Sequence, residues 1–262
     1  MRPSGTLEHV DGEAFVIVKA APRVSRQYGA TVCCAAIDRN GGWVRLYPVS
    51  FRYLEAKQKF RRWDCIRYRS RMPRATADRR SESRRVDDRS IEIVGSLSVS
   101  ERGPLIHRTA VTSLKTESQA GRSLALLKME VVDFRIDRRT DEEVGRELAS
   151  RKAIREQSDM FQLSASVAPE ASPFSFKYTY RDDDGLHTGT CQDWETEATF
   201  LRRRAEFQSE AKALDWMQDK FGSELPQKGI VLAMGTHKRR TEQWLINGII
   251  QVKSDMPQHS LL

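Results

Sequence analysis

Hydrophobic and polar residues follow a strand-like pattern in the first fifty positions of the chain. The segments 14–20, 31–38 and 43–49 are rich in β-branched and aromatic residues, which is typical of strands. Residues 39–42, Arg-Asn-Gly-Gly, separate the last two segments, and an Asn-Gly pair between two such runs favours a hairpin. The chain is therefore predicted to begin with a cluster of strands.

A second pattern predicts a strand with one cationic face. Between residues 65 and 72, apolar or small residues alternate with arginine. Because successive side chains of a strand point to opposite faces, the arginines share one face, which we expect to be solvated. This arginine ladder consists of Arg67, Arg69 and Arg71.

The rest of the chain mixes helical and strand-like segments. Thr140 and Glu143 match a capping box at the start of one helix, whereas residues 73–89 have no apolar period and are predicted to form a mobile loop. Helices are predicted at 51–62, 105–120, 140–158, 193–207 and 209–222, and further strands at 90–98, 124–136, 174–181, 229–235 and 244–252.

These elements predict an α+β fold class with mixed, mostly antiparallel sheets and flanking helices. A barrel is one arrangement that such sheets can adopt. A Ser-, Ala- and Pro-rich linker at 161–173 separates an N-terminal part, 1–160, from a C-terminal part, 174–262. A chain of 262 residues is long enough to bury a core in one or two compact subdomains.

The positive charge of the chain is concentrated in one segment. The formal net charge is +8, and residues 51–90 contain 14 basic and 6 acidic side chains, so this segment carries the whole excess. Arginine offers a planar fork to phosphate, and aromatic residues interleaved with the cations suit base stacking. The segment is interpreted as a nucleic-acid surface, although a merely solvated face explains a charge run as well.

The predicted partner is DNA, with RNA as the alternative. The residues assigned to nucleic-acid contact are Arg45, Tyr47, Arg52, Arg67, Arg69, Arg71, Arg80, Arg84, Trp194, His237 and Trp244.

Other features narrow the class of protein. No apolar run approaches the roughly 20 residues that span a bilayer, and the first residues lack the apolar centre of a secretory signal, so a cytoplasmic protein without a membrane partner is expected. The four cysteines show no CxxC spacing, and reduced thiols are expected. No phosphate-binding glycine motif is present, and ATP is not implied.

Cys33 is the first candidate for chemistry. It shares a predicted strand with Cys34, and only one of the two can face the same side as Arg45 on the next strand. A neighbouring guanidinium favours the thiolate, which is the nucleophilic form. The alternative is that both cysteines are ordinary buried residues.

Two other candidate groups contain carboxylates. Glu82 lies between two arginine pairs and is either a catalytic group or a solvated loop residue. Asp193 and Glu195 are either an acid–base pair or the N-cap and first turn of a helix. No cofactor is expected. His187 and Cys191 are the only weak candidates for zinc ligands, and a zinc site would require two further ligands from elsewhere in the chain.

Several motifs together resemble one family of prokaryotic proteins across nearly the whole chain. They are TVCCAAID, GWVRLYPVSFR, RRSESRR, CQDWE and MGTHKRRTEQWLINGI. The family is largely uncharacterised and is loosely associated with loci that place 7-deazapurines in DNA. The resemblance implies conversion of a base nitrile to an amide or amidine, with Cys33, Glu82, Asp193 and Glu195 as candidates. Ala30 replaces an acidic residue and Ser81 a proline of the family pattern.

Two functions are therefore open. The protein is either an enzyme that modifies a 7-deazaguanine-type base in DNA, with nitrile hydratase-type chemistry, or a non-catalytic reader of modified or single-stranded nucleic acid. In both cases, other proteins of a modification or phage-defence system are possible partners.

Overall fold

The structure is a computed structural model that describes residues 9–20, 23–25, 29–74, 76–159, 170–238 and 240–252. It contains fourteen strands in this described part, and helices that flank them. The strands are β1 (Val10–Lys19), β2 (Arg23–Ser25), β3 (Gly29–Asp38), β4 (Trp43–Val49), β5 (Asp64–Arg71), β6 (Ser83–Val86), β7 (Glu92–Ser96), β8 (Ala110–Val111), β9 (Leu124–Lys128), β10 (Glu130–Arg138), β11 (Phe174–Asp182), β12 (Gly185–Thr190), β13 (Ile230–Thr236) and β14 (Trp244–Gln251). The α-helices are α1 (Val99–Thr109), α2 (Leu114–Gln119), α3 (Asp141–Asp159), α4 (Trp194–Phe207), α5 (Glu210–Met217) and α6 (Leu225–Gln227).

Five of the first strands close into a barrel. Their order is β1-β3-β4-β6-β5, and β1 also pairs with β5, so the sheet has no free edge along this path. The β4–β6 pairing is parallel and the other barrel pairings are antiparallel. The predicted α+β class and its barrel-like variant are both confirmed.

The hairpin between β3 and β4 shows why the barrel begins here. Asp38 accepts hydrogen bonds from the backbone N–H groups of Asn40 and Gly42, each at 2.8 Å. Gly41 has a φ of +87°, a conformation that glycine adopts without steric cost. The predicted hairpin at 39–42 is therefore confirmed by the antiparallel pairing on both sides of it.

The rest of the chain forms two further sheets. One is antiparallel with the order β10-β11-β12, and the other has the order β14-β13-β9-β8. Aromatic residues fill the core between them and α4 and α5, including Phe134, Tyr178 and Phe200, none more than 2% exposed. Ile17 and Ile37 of the barrel belong to one apolar cluster with Leu126 of β9, so the barrel packs against the four-stranded sheet.

The arginine ladder has the predicted alternation. On β5, Ile66, Tyr68 and Ser70 are buried, whereas Arg67 and Arg69 are exposed. The capping box is also confirmed, because Thr140 and Glu143 exchange hydrogen bonds at the start of α3.

Other local predictions were wrong. Residues 51–62 form two short 3-10 turns instead of a helix. Residues 73–89, expected to be a mobile loop, contain β6, which pairs with both β4 and β5. The strand expected at 124–136 is two strands, β9 and β10, in different sheets.

The predicted division of the chain is only partly visible. Residues 161–169 of the predicted linker lie outside the described residues. The pairing of β10 with β11 joins strands on either side of that linker, while the barrel strands and β7 all precede residue 97. No helix in the described part is both long and apolar enough to cross a membrane.

A π-helical turn, Gln218–Glu224, connects α5 and α6. The fully buried Tyr178 of β11 donates a hydrogen bond from its hydroxyl to the carbonyl oxygen of Phe221 in this turn, at 2.9 Å. The wider turn leaves carbonyl groups that need partners from outside the helix, and Tyr178 supplies one.

We therefore expect Tyr178→Phe to lower the free energy of unfolding by about 1–2 kcal/mol, because it leaves a buried carbonyl without its donor. Urea denaturation measures this change. Tyr47→Phe is the matched control, since Tyr47 is 36% exposed and should lose almost nothing. Equal effects of the two substitutions would contradict a structural role for the Tyr178 hydroxyl.

Candidate functional site

A large cleft lies between the barrel and the C-terminal sheets. Its volume is about 1450 Å³, and its described lining includes ten arginine or lysine and six aspartate or glutamate side chains. Residues of β3, β4 and the segment 73–85 line one side, and the other side includes residues of α3, β11 and the end of β13. The excess of cations makes the cleft attractive to an anionic ligand.

Cys33 and Arg45 face the cleft together. Val44 and Leu46 of β4 point into the barrel core, so Arg45 between them points outward. Cys34 of β3 also points into the core, so its neighbour Cys33 points outward. The Arg45 guanidinium Nη1 lies 3.9 Å from the Cys33 sulfur. The prediction that only one of the two adjacent cysteines shares a site with Arg45 is confirmed, and that residue is Cys33, which is half-buried.

A β-bulge lies opposite Cys33. Val32 pairs with Val49 and Cys34 pairs with Leu46, so two residues of β4, Tyr47 and Pro48, stand opposite the single Cys33. Bulges re-aim side chains and occur next to active sites. Tyr47 lines the cleft and is 36% exposed, which leaves its ring available for stacking.

Arg45 is held by a residue that sequence reasoning missed, Ser123. Arg45 Nη2 donates to the Ser123 carbonyl oxygen at 2.8 Å and to its hydroxyl at 3.1 Å. The Ser123 N–H and hydroxyl in turn donate to the two carboxylate oxygens of Glu82, at 2.6 and 2.9 Å. Arg45 and Glu82 are only 5% and 7% exposed, so two buried charges are joined through one serine.

Glu82 is thus not a solvated loop residue. It lies outside the residues that line the cleft, and its carboxylate is occupied by Ser123. This arrangement suits a residue that positions Arg45 through Ser123. No signal in the sequence near Ser123 indicates this contact, because the two residues are 41 positions apart.

Three buried polar atoms of the cleft have no hydrogen-bond partner among the described residues. They are the hydroxyl oxygens of Thr31 and Thr236 and the Nε of Arg45. Thr31 is 2% exposed and Thr236 is 5% exposed. Buried polar groups normally have partners, so these three atoms stand out in the lining, and we refer to Thr31, Arg45 and Thr236 as the floor of the cleft.

Arg80 acts as a clamp near this floor. It donates to both carboxylate oxygens of Asp78, at 2.9 and 2.7 Å, and to the carbonyl oxygen of Thr236 at 3.0 Å. Burial raises the pKa of Asp78, but hydrogen bonds from Arg80 outweigh it and hold the pKa below its ordinary value. Arg80 is therefore neutralised by a carboxylate and ties the turn before β6 to β13.

The start of α3 forms a charged wall of the cleft that was also missed. Arg151 binds Glu147 of the same helix and Glu197 of α4, the latter at 2.7 Å. Arg139 binds Glu147 at 2.7 Å. α3 also contacts β3 of the barrel and β2, which pairs with β3 outside the closed path. The sequence did contain a signal for this position of α3, because a helix that is charged on all sides often bridges two parts of a protein.

Asp193 and Cys191 lie on the wall opposite the barrel. Asp193 accepts a hydrogen bond from the Glu195 N–H at 3.1 Å, which confirms it as the N-cap of α4. Burial raises the pKa of Asp193 to about 6, while Arg62 lowers it and Glu195 raises it. Burial likewise raises the pKa of Cys191 to about 12, so Cys191 is a neutral thiol at physiological pH.

Glu195 and His187 are directed elsewhere. Glu195 is exposed and binds Arg62 at 2.9 Å. His187 contacts Asp182 at 3.0 Å, whereas the nearest polar partner of the Cys191 sulfur is the Thr196 hydroxyl at 3.7 Å. The described residues contain no group of three or more His, Cys, Asp or Glu side chains that could hold a metal. The zinc candidates are therefore not brought together with further ligands.

The residues assigned to nucleic-acid contact are divided between several places. Arg45, Tyr47, Arg80, Arg84 and His237 line the cleft. The ladder lies outside this lining.

The ladder arginines instead meet carboxylates on the surface of the barrel. Arg67 binds Glu13 at 2.7 Å, and Arg69 binds Asp87 at 3.1 Å. Arg71, the third member, is half-buried at the end of β5.

Three other residues assigned to nucleic-acid contact either lie outside the lining of the cleft or have side chains outside the described residues. Trp244 donates to the Ser118 hydroxyl at 2.9 Å and does not line the cleft. The side chains of Arg52 and Trp194 lie outside the described residues.

Asp193→Asn should stabilise the protein increasingly as the pH rises. A folded-state pKa of about 6 lies above the ordinary value, so ionising Asp193 above that pH weakens the fold, whereas asparagine keeps the cap without the charge. The free energy of unfolding of the variant minus that of the wild type should grow by about 2 kcal/mol between pH 4 and pH 7.5, at 1.36 kcal/mol per pKa unit. Urea denaturation across this range measures it. A difference that shrinks with pH would mean that attraction to Arg62 outweighs burial.

Comparisons with known proteins place the chain among families without an assigned function. One family model, a domain of unknown function (DUF8758), matches residues 11–111, which contain the barrel, and a second, a domain of unknown function (DUF8757), matches residues 107–262. A comparison with curated proteins found no match. The second model covers more than half of the chain, and the chain therefore belongs to the family of domains of unknown function DUF8757.

Proposed function

We propose that the protein binds nucleic acid in the cleft and modifies a base there, with Cys33 as the nucleophile. One observation carries this proposal: a half-buried thiol lies 3.9 Å from a buried guanidinium at the floor of a cleft whose lining is rich in cations. A guanidinium beside a thiol favours its anionic, reactive form. Basic walls around such a centre suit a substrate that carries phosphates.

The cleft is suited to a nucleotide taken out of a base stack. Enzymes that act on a base reach it in a single strand or flip it into a pocket. The volume of about 1450 Å³ accommodates a nucleotide with its flanking phosphates. The exposed ring of Tyr47, opposite Cys33 in the bulge, offers a stacking surface. DNA is the proposed partner, and RNA is the alternative.

The proposed reaction is the one implied by the family resemblance, conversion of a nitrile on a 7-deazaguanine-type base. The Cys33 thiolate adds to the nitrile carbon, and the nitrile nitrogen takes up a proton, which gives a thioimidate. Water then displaces the thiol and yields the amide, whereas ammonia yields the amidine. Asp193, whose pKa burial raises to about 6, is suited to supply the proton because acids with such a pKa donate near neutral pH.

A reader function is the second candidate. The floor of the cleft presents two buried hydroxyls and a guanidinium N–H without described partners. Such groups recognise a ligand through hydrogen bonds alone, without any covalent step. In this case Cys33 packs against the bound ligand and undergoes no reaction.

The cellular setting follows from the same proposal. A base-modifying enzyme or reader acts in the cytoplasm, together with other proteins of a modification or defence system. No cofactor enters the proposed reaction: thiol, acid and water account for every bond formed and broken on the way to the amide, and the amidine branch requires ammonia as a co-substrate.

The cleft, rather than the arginine ladder, should bind the nucleic acid. We expect the double variant Arg84→Gln/Lys238→Gln, which removes two cations from the lining of the cleft, to bind single-stranded DNA more weakly than the wild type. It should also lower the slope of log affinity against log salt by about 1.4, since each lost phosphate contact removes about 0.7. Fluorescence anisotropy at several salt concentrations measures both quantities.

The ladder variant Arg67→Gln/Arg69→Gln is the matched control, because it removes the same charge from a surface outside the cleft. These two arginines already bind Glu13 and Asp87. A larger loss in the control than in the cleft variant would move the interface to the barrel surface.

Conversion of a nitrile-bearing base should require Cys33. We expect wild-type protein to convert such a base in single-stranded DNA, and Cys33→Ala to bind the DNA with unchanged affinity without converting it. Nucleoside mass spectrometry detects the amide or amidine. Cys65→Ala is the control, since Cys65 is buried away from the cleft. Binding without conversion by the wild type would support the reader function, and full conversion by Cys33→Ala would remove Cys33 from the mechanism.

A further inference from the structure

Three polar atoms at the floor of the cleft share an unusual property: they are buried and have no described partner. Six side-chain atoms of this kind occur among the described residues, and three belong to Thr31, Arg45 and Thr236, which all line the cleft. A buried polar group without a partner is costly. Three such groups at one place indicate that a ligand supplies the missing partners.

Thr236 and Arg45 are connected through Ser123, and Thr31 is placed near them by its position on β3. The backbone N–H of Thr236 and the Nη2 of Arg45 donate to the same carbonyl oxygen of Ser123, at 3.0 and 2.8 Å. Arg45 Nη1 reaches Cys33 at 3.9 Å. Thr31 lies two residues before Cys33 on β3, and residues at this spacing share a face of a strand. Arg45 therefore lies beside the Cys33 thiol, Thr31 shares its strand face, and Thr236 is joined to Arg45 through Ser123.

The close approach of the two sheets depends on Gly235. A Cβ atom at Gly235 would lie 2.5 Å from the amide nitrogen of Asn247 and 3.8 Å from Arg45 Nη2. Asn247 is the extra residue of a bulge in β14, where Ala233 pairs with Gly248 and Met234 with Ile246. The absence of a side chain at position 235 lets β13 and β14 approach the guanidinium.

The chemistry of these groups selects the ligand. An arginine N–H can only donate, and a threonine hydroxyl can donate as well as accept. The two carboxylates nearest in the hydrogen-bond network are already occupied, Glu82 by Ser123 and Asp78 by Arg80. No described acidic side chain forms an ion pair with Arg45. The missing partner is therefore a hydrogen-bond acceptor with several oxygens, and charge favours an anionic one.

We propose that Thr31, Arg45 and Thr236 form a binding site for one phosphate group beside Cys33. This inference rests on the proposed function for the source of the phosphate, a phosphodiester of the bound strand, while a free phosphate or nucleotide offers the same chemistry. With the phosphate at the floor, the base of the same nucleotide extends over the thiol. The site thus fixes the orientation of the substrate.

The test measures how fast iodoacetamide alkylates Cys33, resolved by peptide mass spectrometry. We expect inorganic phosphate to slow alkylation of Cys33, compared with chloride at equal ionic strength. A short single-stranded oligonucleotide should protect Cys33 in the same way. Cys33 itself is unchanged in all variants used, so the reporter is constant.

The variants Thr31→Val and Thr236→Val remove one hydroxyl each at nearly constant shape. Each should weaken protection by phosphate about tenfold, a change that corresponds to about 1.4 kcal/mol and to the loss of one hydrogen bond to a charged group. Thr179→Val is the matched control, because Thr179 contacts Thr188 on an exposed face outside the cleft. Thr236→Ser, which keeps a hydroxyl, should restore protection.

The melting temperatures of the valine variants provide a second measurement. Removing an unpartnered buried hydroxyl should leave the melting temperature unchanged or raise it, whereas a hydroxyl with a structural partner would lower it. Should Thr236→Val fail to fold, the hydroxyl is structural, and the proposed phosphate site would be wrong at that residue; Thr31→Val then tests the remaining half by the same protection assay.

The outcomes separate this inference from the proposed function. Protection by phosphate, lost in both valine variants, supports the site. Protection by phosphate without binding of the oligonucleotide keeps the site and overturns the nucleic-acid function. Protection by the oligonucleotide but not by phosphate, with equal affinity of the valine variants, overturns the site and leaves the function standing. No protection by either ligand overturns both.

Discussion

The structure depends on two buried charges that meet at Ser123. Arg45 comes from β4 of the barrel, Glu82 from the turn before β6, and Ser123 from the residue preceding β9. The serine donates to the carboxylate and accepts from the guanidinium, so each charge is satisfied only when the other part of the chain is in place. Removing one member would leave a buried charge without compensation, which costs several kcal/mol. This contact fixes the barrel against the second sheet and thereby shapes the cleft.

The arginines of this chain have different partners and different roles in different parts of the structure. Arg67 and Arg69 are neutralised at the surface of the barrel, where exposed ion pairs contribute little to stability. The charge of Arg80 is neutralised by its ion pair with Asp78. The cations that give the cleft its character come in large part from α3 and its surroundings, outside the segment with the highest density of arginine. Charge density along a sequence is therefore a poor guide to the position of a charged surface.

Local patterns predicted local structure well. The alternation of β5, the hairpin at 39–42 and the capping box of α3 depend on residues near one another in the chain, and all three are present. Strand alternation also predicted that only one of the two adjacent cysteines lies beside Arg45. The choice between Cys33 and Cys34 required the structure, because only the packing of Leu46 and Cys34 in the barrel core defines which face is outside.

Contacts between distant residues escaped prediction. Ser123 and Thr236 reach the site through a backbone hydrogen bond between segments more than a hundred residues apart. Ser123 stands in none of the recognised motifs, and the motif that contains Thr236 gives no signal of this contact. Residues 73–89 lack an apolar period, yet pairing with β4 and the Asp78–Arg80 clamp order their second half. Asp193 was recognisable as a helix cap, but its raised pKa results from burial that only the tertiary structure supplies.

The position of the barrel along the chain has a consequence for the order in which the molecule assembles. All five barrel strands lie before residue 87, whereas β13 and β14 of the adjoining sheet begin at residue 230. During synthesis the barrel strands emerge first, and we expect them to pair while the Arg45 guanidinium is still hydrated on their outer surface. Docking of β9 and β13 then has to strip water from that charge. The late step of folding is thus an electrostatic one, and its rate depends on how readily a solvated guanidinium exchanges water for a serine.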